Sequence, residues 1–132
     1  MADPTLVTAA IVRRGDAVLI ARRRLADAFP LLWEFPGGKV EPGELPEDAL
    51  VRECREEMGV RIRVRALFDA IYHRYEDLSI LLFFYDCDLL SGEPRPIGCQ
   101  EVRFAPVHDL PAFDFLPADK VLIERLQLRF PG

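Results

Sequence analysis

The run from Pro46 to Met58, PEDALVRECREEM, contains no helix breaker after its first residue and is closed by Gly59. Proline suits the first turn of a helix, where its missing N–H is no loss. Glu47 and Asp48 follow in that turn, where negative charge meets the positive end of the dipole. Glycine is the natural residue just past a helix end. At about 100° per residue, Leu50, Val51, Cys54 and Met58 share one arc, and Glu53, Glu56 and Glu57 fill the adjoining one. Such a helix must lay its first arc on a core and hold its second beside it. Glu57 lies only about 20° from Leu50 around the helix. A carboxylate bordering a core is costly unless something positive sits beside it.

Carboxylates crowded on one face repel one another, and like charges four apart destabilise a helix. A divalent cation reverses that penalty, because hard cations take oxygen ligands and combine a few carboxylates with phosphates and water. Arg52, four residues before Glu56, can pair with it or steer a neighbouring carboxylate. Upstream, Pro36-Gly37-Gly38 reads as a turn whose exposed backbone can approach a metal or phosphate closely. The bland alternative is a solvated, salt-bridged helix face.

The whole stretch runs Gly38, five residues, Glu44, seven residues, then Arg52-Glu53-Cys54-Arg55-Glu56-Glu57-Met58-Gly59-Val60. It resembles the signature of the Nudix hydrolases, G-x5-E-x7-R-E-U-x-E-E-x-G-U with U aliphatic. Every fixed position matches; Cys54 stands where the family usually has Leu, Ile or Val, and a reduced Cys behaves as a small hydrophobe. The resemblance implies Mg2+, with Mn2+ able to substitute, held by Glu53, Glu56 and Glu57 and by the Gly38 carbonyl. It further implies Glu53 as the base or water ligand, Arg52 orienting it, and Glu44 supporting the site from the loop.

The chain's 132 residues suit one domain spanning 1–132, half hydrophobic and 30% charged, which excludes general disorder. No apolar run approaches a membrane span, and the N-terminus lacks a signal-peptide pattern. Cys54, Cys87 and Cys99 lack metal-ligand spacing, which suggests reduced thiols in a cytoplasm. A net charge of −5 argues against a nucleic-acid polymer as partner. A single nucleotide remains compatible, since bound metal would neutralise the acidic site locally.

Leu6–Arg13 and Ala17–Arg23 read as a hairpin about Arg14-Gly15-Asp16. Leu32–Phe35 reads as a short strand, Val60–Tyr75 as one long or bent strand, and Leu78–Leu89 as a strand closed by a turn at Ser91-Gly92-Glu93-Pro94. Glu101–Val107 is another strand, and Ala118–Leu128 a terminal helix. The expected fold is α+β: a mixed sheet flanked by the central and C-terminal helices, similar to the α/β/α sandwich of Nudix proteins.

Within that family, Trp33 to Glu44, WEFPGGKVEPGE, resembles the MutT-like branch of nucleoside triphosphate pyrophosphohydrolases and oxidised-nucleotide sanitising enzymes. Phe115-Leu116-Pro117-Ala118-Asp119 resembles that branch's F-P-P-A-N/D segment, which makes Asp119 a candidate reader of the base; alternatively Pro117 and Asp119 only start the last helix. By the same resemblance Arg23 is a phosphate or base ligand, or else an exposed strand end. Phe35 and Tyr75 line the base pocket, or else pack in the core, and Gly37 approaches the substrate. MutT-like enzymes often recruit one more acidic ligand from a late loop. That position falls here on Gly98, and the nearest acid is Glu101, a metal ligand or a solvent-facing strand residue.

The expected reaction is cleavage of a nucleoside triphosphate to monophosphate and pyrophosphate, with 8-oxo-dGTP one candidate substrate. CTP or dCTP analogues, dinucleoside polyphosphates and ADP-ribose are alternatives within the class. A non-catalytic nucleotide sensor and an acidic docking domain are alternatives outside it. Either a monomer or a homodimer is compatible with the sequence.

Overall fold

A computed structural model describes residues 3–129; residues 1, 2 and 130–132 of the expected domain lie outside the described part. Seven strands and two α-helices follow in the order β1 (Thr5–Arg14), β2 (Ala17–Arg22), β3 (Trp33–Glu34), β4 (Gly37–Lys39), α1 (Pro46–Met58), β5 (Arg61–Tyr75), β6 (Leu78–Ser91), β7 (Glu101–Pro106) and α2 (Pro117–Arg129). A 3-10 segment, Val107–Ala112, which sequence patterning does not predict, joins β7 to α2.

The strands form a mixed sheet in the order β3-β2-β1-β6-β5, with β4 added to β1 and β7 to β2. Only β1 and β6 run parallel; the other pairs are antiparallel. Side chains alternate across a strand, and β1 divides its residues accordingly. Ala9 and Ile11 join the core under α2, while Ala10 and Val12 join the core under α1. In β2, Val18 and Ile20 face the first core and Leu19 the second. One helix therefore covers each face, which is the α/β/α arrangement expected from the pattern.

Helix α1 buries Leu50, Cys54 and Met58 completely, the stripe its periodicity predicts. Full burial of a leucine or methionine side chain stabilises by about 1.5–3 kcal/mol. Gly59 ends the helix in the left-handed region at φ 70°, its N–H bonded to the Arg55 carbonyl. Beyond it the 92–98 loop folds back over the helix end. Arg95 donates its N–H to Met58 O, and Ile97 and Gly98 both donate to Glu57 O. Those carbonyls have no partner within the helix.

One expectation needs correction. Gly37 and Gly38 are not a free turn: with Lys39 they form β4, whose partners across β1 are Ala9, Thr8 and Val7. The approach is closer than any side chain allows, because a Cβ on Gly37 would lie 1.9 Å from the Thr8 carbonyl oxygen. Glycine's turn preference hides a strand that only the tertiary partner reveals. The other boundaries shift by a residue or two, and Arg23 falls just past the end of β2. β5 is indeed one long strand, broken in register against β6 near Arg61, Val64 and Leu67. In strand order it is the outermost strand, and Arg61, Arg63, Arg65, Leu67 and Tyr72 along it are exposed.

Candidate active site

Arg52 is the hub of the acidic end. Its Nε and Nη2 donate to the two carboxylate oxygens of Glu44 at 2.9 and 3.0 Å, a paired contact between loop and helix. Nη1 donates to Glu53 at 2.9 Å and to Glu56 at 3.3 Å, and Nη2 reaches the Lys39 carbonyl at 3.2 Å. Bidentate arginine–carboxylate contacts set orientation as well as energy. Glu44 also accepts the Glu41 N–H. The Arg52 guanidinium, aided by that N–H, holds the Glu44 carboxyl below the usual carboxylate range.

Glu57, next to the apolar stripe, lies between the helix and a pocket. Burial pushes its carboxyl up to about 9, the negative charges of Glu34 and Glu53 add to the rise, and Arg23 opposes it. The expected positive neighbour is thus present but outweighed. Gly38 closes the other side: a Cβ there would meet the Glu53 carboxylate at 2.5–2.8 Å. Among the described residues no three Asp, Glu, His or Cys side chains converge closely enough to hold a cation as they stand, with Glu53 drawn towards Arg52. The donor set nevertheless suits a hard divalent ion. It comprises carboxylates at Glu53, Glu56 and Glu57 and a peptide carbonyl at Gly38, all oxygen. A cation would also favour the charged form of Glu57, against the burial and the Glu34 and Glu53 charges that push its carboxyl up.

From this acidic end a cavity of about 380 Å3 runs between β1, β4 and the start of α2. Gly37, Gly38 and Glu57 are among the residues lining it at one part, and Arg23, Phe29, Glu34, Phe35, Tyr75 and Asp119 are among those lining it elsewhere. Asp119 is 3% exposed, and its Oδ2 accepts the Phe35 N–H at 2.9 Å. Burial pushes its carboxyl up to about 8; the Phe35 N–H and Arg23 pull it down, and Glu34 pushes it up. Asp119 thus sits in the first turn of α2 and also faces the cavity. Phe35 is 3% exposed and stacks on Phe115 at 5.6 Å, so it belongs to the core while lining the pocket. Tyr75 is half-buried against Phe29 at 5.1 Å and His73 at 4.5 Å.

Arg23 is neither an exposed strand end nor free. Its Nη1 donates to Glu34 at 3.0 Å and its Nε to the Ala28 carbonyl at 2.7 Å. Glu34 is the acid that sequence reasoning missed. Its one signal is an acidic residue set between Trp33 and Phe35. Its partner Arg23 and its neighbour Glu57 are far along the chain. Burial raises the Glu34 carboxyl despite Arg23. Two residues of the intervening segment, Phe29 and Leu31, hold positive φ angles of 52° and 62°, a strained backbone for non-glycine residues.

Glu101 does not join this constellation. It is paired with Arg103 at 2.7 Å and Arg22 at 4.0 Å and does not line the cavity. Gly98, the late-loop position, does reach the site, but through its backbone: its N–H donates to Glu57 O, and a Cβ would lie 3.3 Å from Glu57 Cα.

The NUDIX domain family model matches residues 3–126. An 8-oxo-dGTP diphosphatase of Escherichia coli is 35% identical over 122 residues, covering 92% of this chain and 95% of that protein. A CTP pyrophosphohydrolase of the same organism is 50% identical over 58 residues, covering 44% of this chain and 43% of that one. The crystal structure of a MutT NUDIX hydrolase from Burkholderia pseudomallei superposes with a TM-score of 0.84 at 25% identity, covering 93% of this chain and 98% of that one. No helix among the described residues is long and apolar enough to cross a membrane.

Proposed function

The chain belongs to the NUDIX family, and on that premise we propose that it is a Mg2+-dependent pyrophosphohydrolase converting 8-oxo-dGTP to the monophosphate and pyrophosphate. The observation that carries this reading is one cavity with an acidic, oxygen-rich end at Gly38 and Glu57 and an aromatic end closed by Phe35 and Asp119. The first suits a metal-bound polyphosphate, the second a planar base. The similarity to 8-oxo-dGTP diphosphatases along nearly the whole chain supports the choice of substrate.

Mg2+ held by Glu53, Glu56, Glu57 and the Gly38 carbonyl would neutralise phosphate charge and acidify a bound water. Phosphoryl chemistry of this kind depends on positioning and electrostatics rather than on a covalent intermediate. Glu53 takes the proton of the attacking water as general base. Arg52 holds the Glu53 carboxylate in place, and Glu44 holds Arg52. At the other end Asp119, raised to about 8, is largely neutral at pH 7. A neutral carboxyl offers both a donor and an acceptor to an oxopurine edge. Arg23, Tyr75 and Phe35 complete the base pocket, and Gly37 lines the cavity with them. Glu101 is not needed in this scheme.

A cytosine nucleotide is the second reading, favoured by the 50% identical stretch shared with a CTP pyrophosphohydrolase. Cytosine's amino group and ring nitrogen also match a neutral carboxyl. We propose that the domain spans residues 1–132 and acts in a reducing cytoplasm, in keeping with its free cysteines. Its partner is a nucleotide rather than a nucleic-acid polymer.

The test is pyrophosphate release from 8-oxo-dGTP, dGTP, CTP, dCTP, ADP-ribose and a diadenosine polyphosphate, with and without Mg2+. Preference for 8-oxo-dGTP with pyrophosphate as product supports the assignment. Preference for CTP or dCTP moves it to the second reading. No metal-dependent hydrolysis of any nucleotide rejects both.

A further inference from the structure

Thr8 is a fully buried polar residue at the centre of β1. Its neighbours along the strand are Val7, Ala9, Ala10, Ile11 and Val12. By alternation it shares a face with Ala10 and Val12, which pack beneath α1 with Leu50, Cys54 and Met58. A valine would fill such a place without a polar group to satisfy. A buried hydroxyl is costly unless bonded, and this one has a partner: Thr8 Oγ1 donates to the Gly38 carbonyl oxygen at 3.3 Å. Thr8 and Gly38 are register partners in the β1–β4 pair. Both line the cavity beside Glu57, and the Glu53 carboxylate lies against Gly38.

A peptide carbonyl has two lone pairs, so a bond from Thr8 leaves Gly38 O able to accept another partner. Hydrogen bonds behind a metal ligand orient it, and their loss commonly weakens metal affinity. β4 is short and carries glycine at two of its three positions, so few side chains of its own fix the plane of its peptides. Resting on the site reading proposed above, we infer that Thr8 is a positioning residue for the divalent cation, its hydroxyl fixing the orientation of the Gly38 carbonyl. Thr8 touches neither the cation nor the substrate in this role.

The experiment is a Mn2+ titration followed by electron paramagnetic resonance, comparing the wild type with Thr8→Val, Thr8→Ala and Thr8→Ser, each checked for folding by thermal melting. Ser and Ala differ by the hydroxyl alone, so that pair decides the matter even if the valine variant does not fold. Valine and alanine are expected to weaken Mn2+ binding by about 10-fold, with serine holding near the wild-type affinity. Their Mg2+ requirement for pyrophosphate release should rise in parallel, with little change in kcat at saturating metal. Equal affinity in the alanine and serine variants overturns the inference, whether both match the wild type or both are weak, since shared weakness means lost packing. A wild type that binds no Mn2+ overturns the inference together with the site reading beneath it. Tight wild-type binding with no Ser–Ala difference removes this inference alone.

Discussion

The two ends of the cavity are built in opposite ways. At the acidic end Gly38 and Glu57 line the cavity, and they belong to one continuous stretch in which Arg52 joins Glu41, Glu44, Glu53 and Glu56. At the aromatic end Arg23, Glu34, Phe35, Tyr75 and Asp119 come from four separated parts of the chain. The contact that closes it, Asp119 to the Phe35 N–H, spans 84 residues. A site made from one helix and its leading loop inherits its geometry from local backbone. A site made from distant segments depends on the whole sheet, and so is free to vary with the loops that feed it. Chemistry fits the first kind of construction and substrate choice the second.

The sharpest way to break that contrast is Glu53→Gln. Loss of a general base costs about 10^2 to 10^4-fold in kcat, with melting close to wild type; near-normal turnover would end the assignment. Next come the two glycines, which should fail differently. Gly37→Ala drives a Cβ into the Thr8 backbone at 1.9 Å, and overpacking of this kind costs about 1–3 kcal/mol or more, read as a lowered urea midpoint. In Gly38→Ala the nearest atoms to the new Cβ are the end of the Glu53 side chain, which can swing aside. It should lower kcat and spare stability.

Asp119→Asn tests the other end, where a rise in KM with little change in kcat is expected. It also carries a pH signature. The folded carboxyl is raised from its ordinary 3.8 to about 8, so the folded state binds the proton more tightly than the unfolded chain. Stability from that proton is full below about pH 3.8 and is lost as pH rises through about 8. Asparagine can still accept the Phe35 N–H and has no proton to lose. Urea midpoints of the variant should therefore fall less than wild type between those limits; parallel profiles would refute the assignment. Smallest of all is Glu101→Gln, a partly exposed residue paired with Arg22 and Arg103. It should leave Mn2+ binding unchanged, and a clear loss would return Glu101 to the metal site.

The same contrast explains what could be read in advance. Leu50, Cys54 and Met58 are legible because helical periodicity alone puts them on one face, and the acids follow from the same 100° step. β4 was not legible, since two glycines carry no pattern and its strand character comes from β1. Asp119 was legible as a helix-start acid or a base reader, but not as a buried group. First-turn acids usually face water, and nothing local reveals that Phe35 will cover this one. Glu34 escaped notice for a related reason: a two-residue strand is too short for alternation to show which face it takes.

The long outer strand β5 has a consequence for how copies of this protein meet at high concentration. Among the described residues no strand pairs with its outer edge, and such an edge of fifteen residues would ordinarily be a template for another chain. Here the ladder slips out of step at three places, and arginines recur at Arg61, Arg63 and Arg65. A second strand laid along its first half would meet a stepped ladder and a row of arginines, whereas from Asp69 to Tyr75 the register with β6 is unbroken. The register breaks of the first half thus make that stretch a poor template for edge-to-edge pairing, while the regular far end carries Tyr75 into the pocket lining.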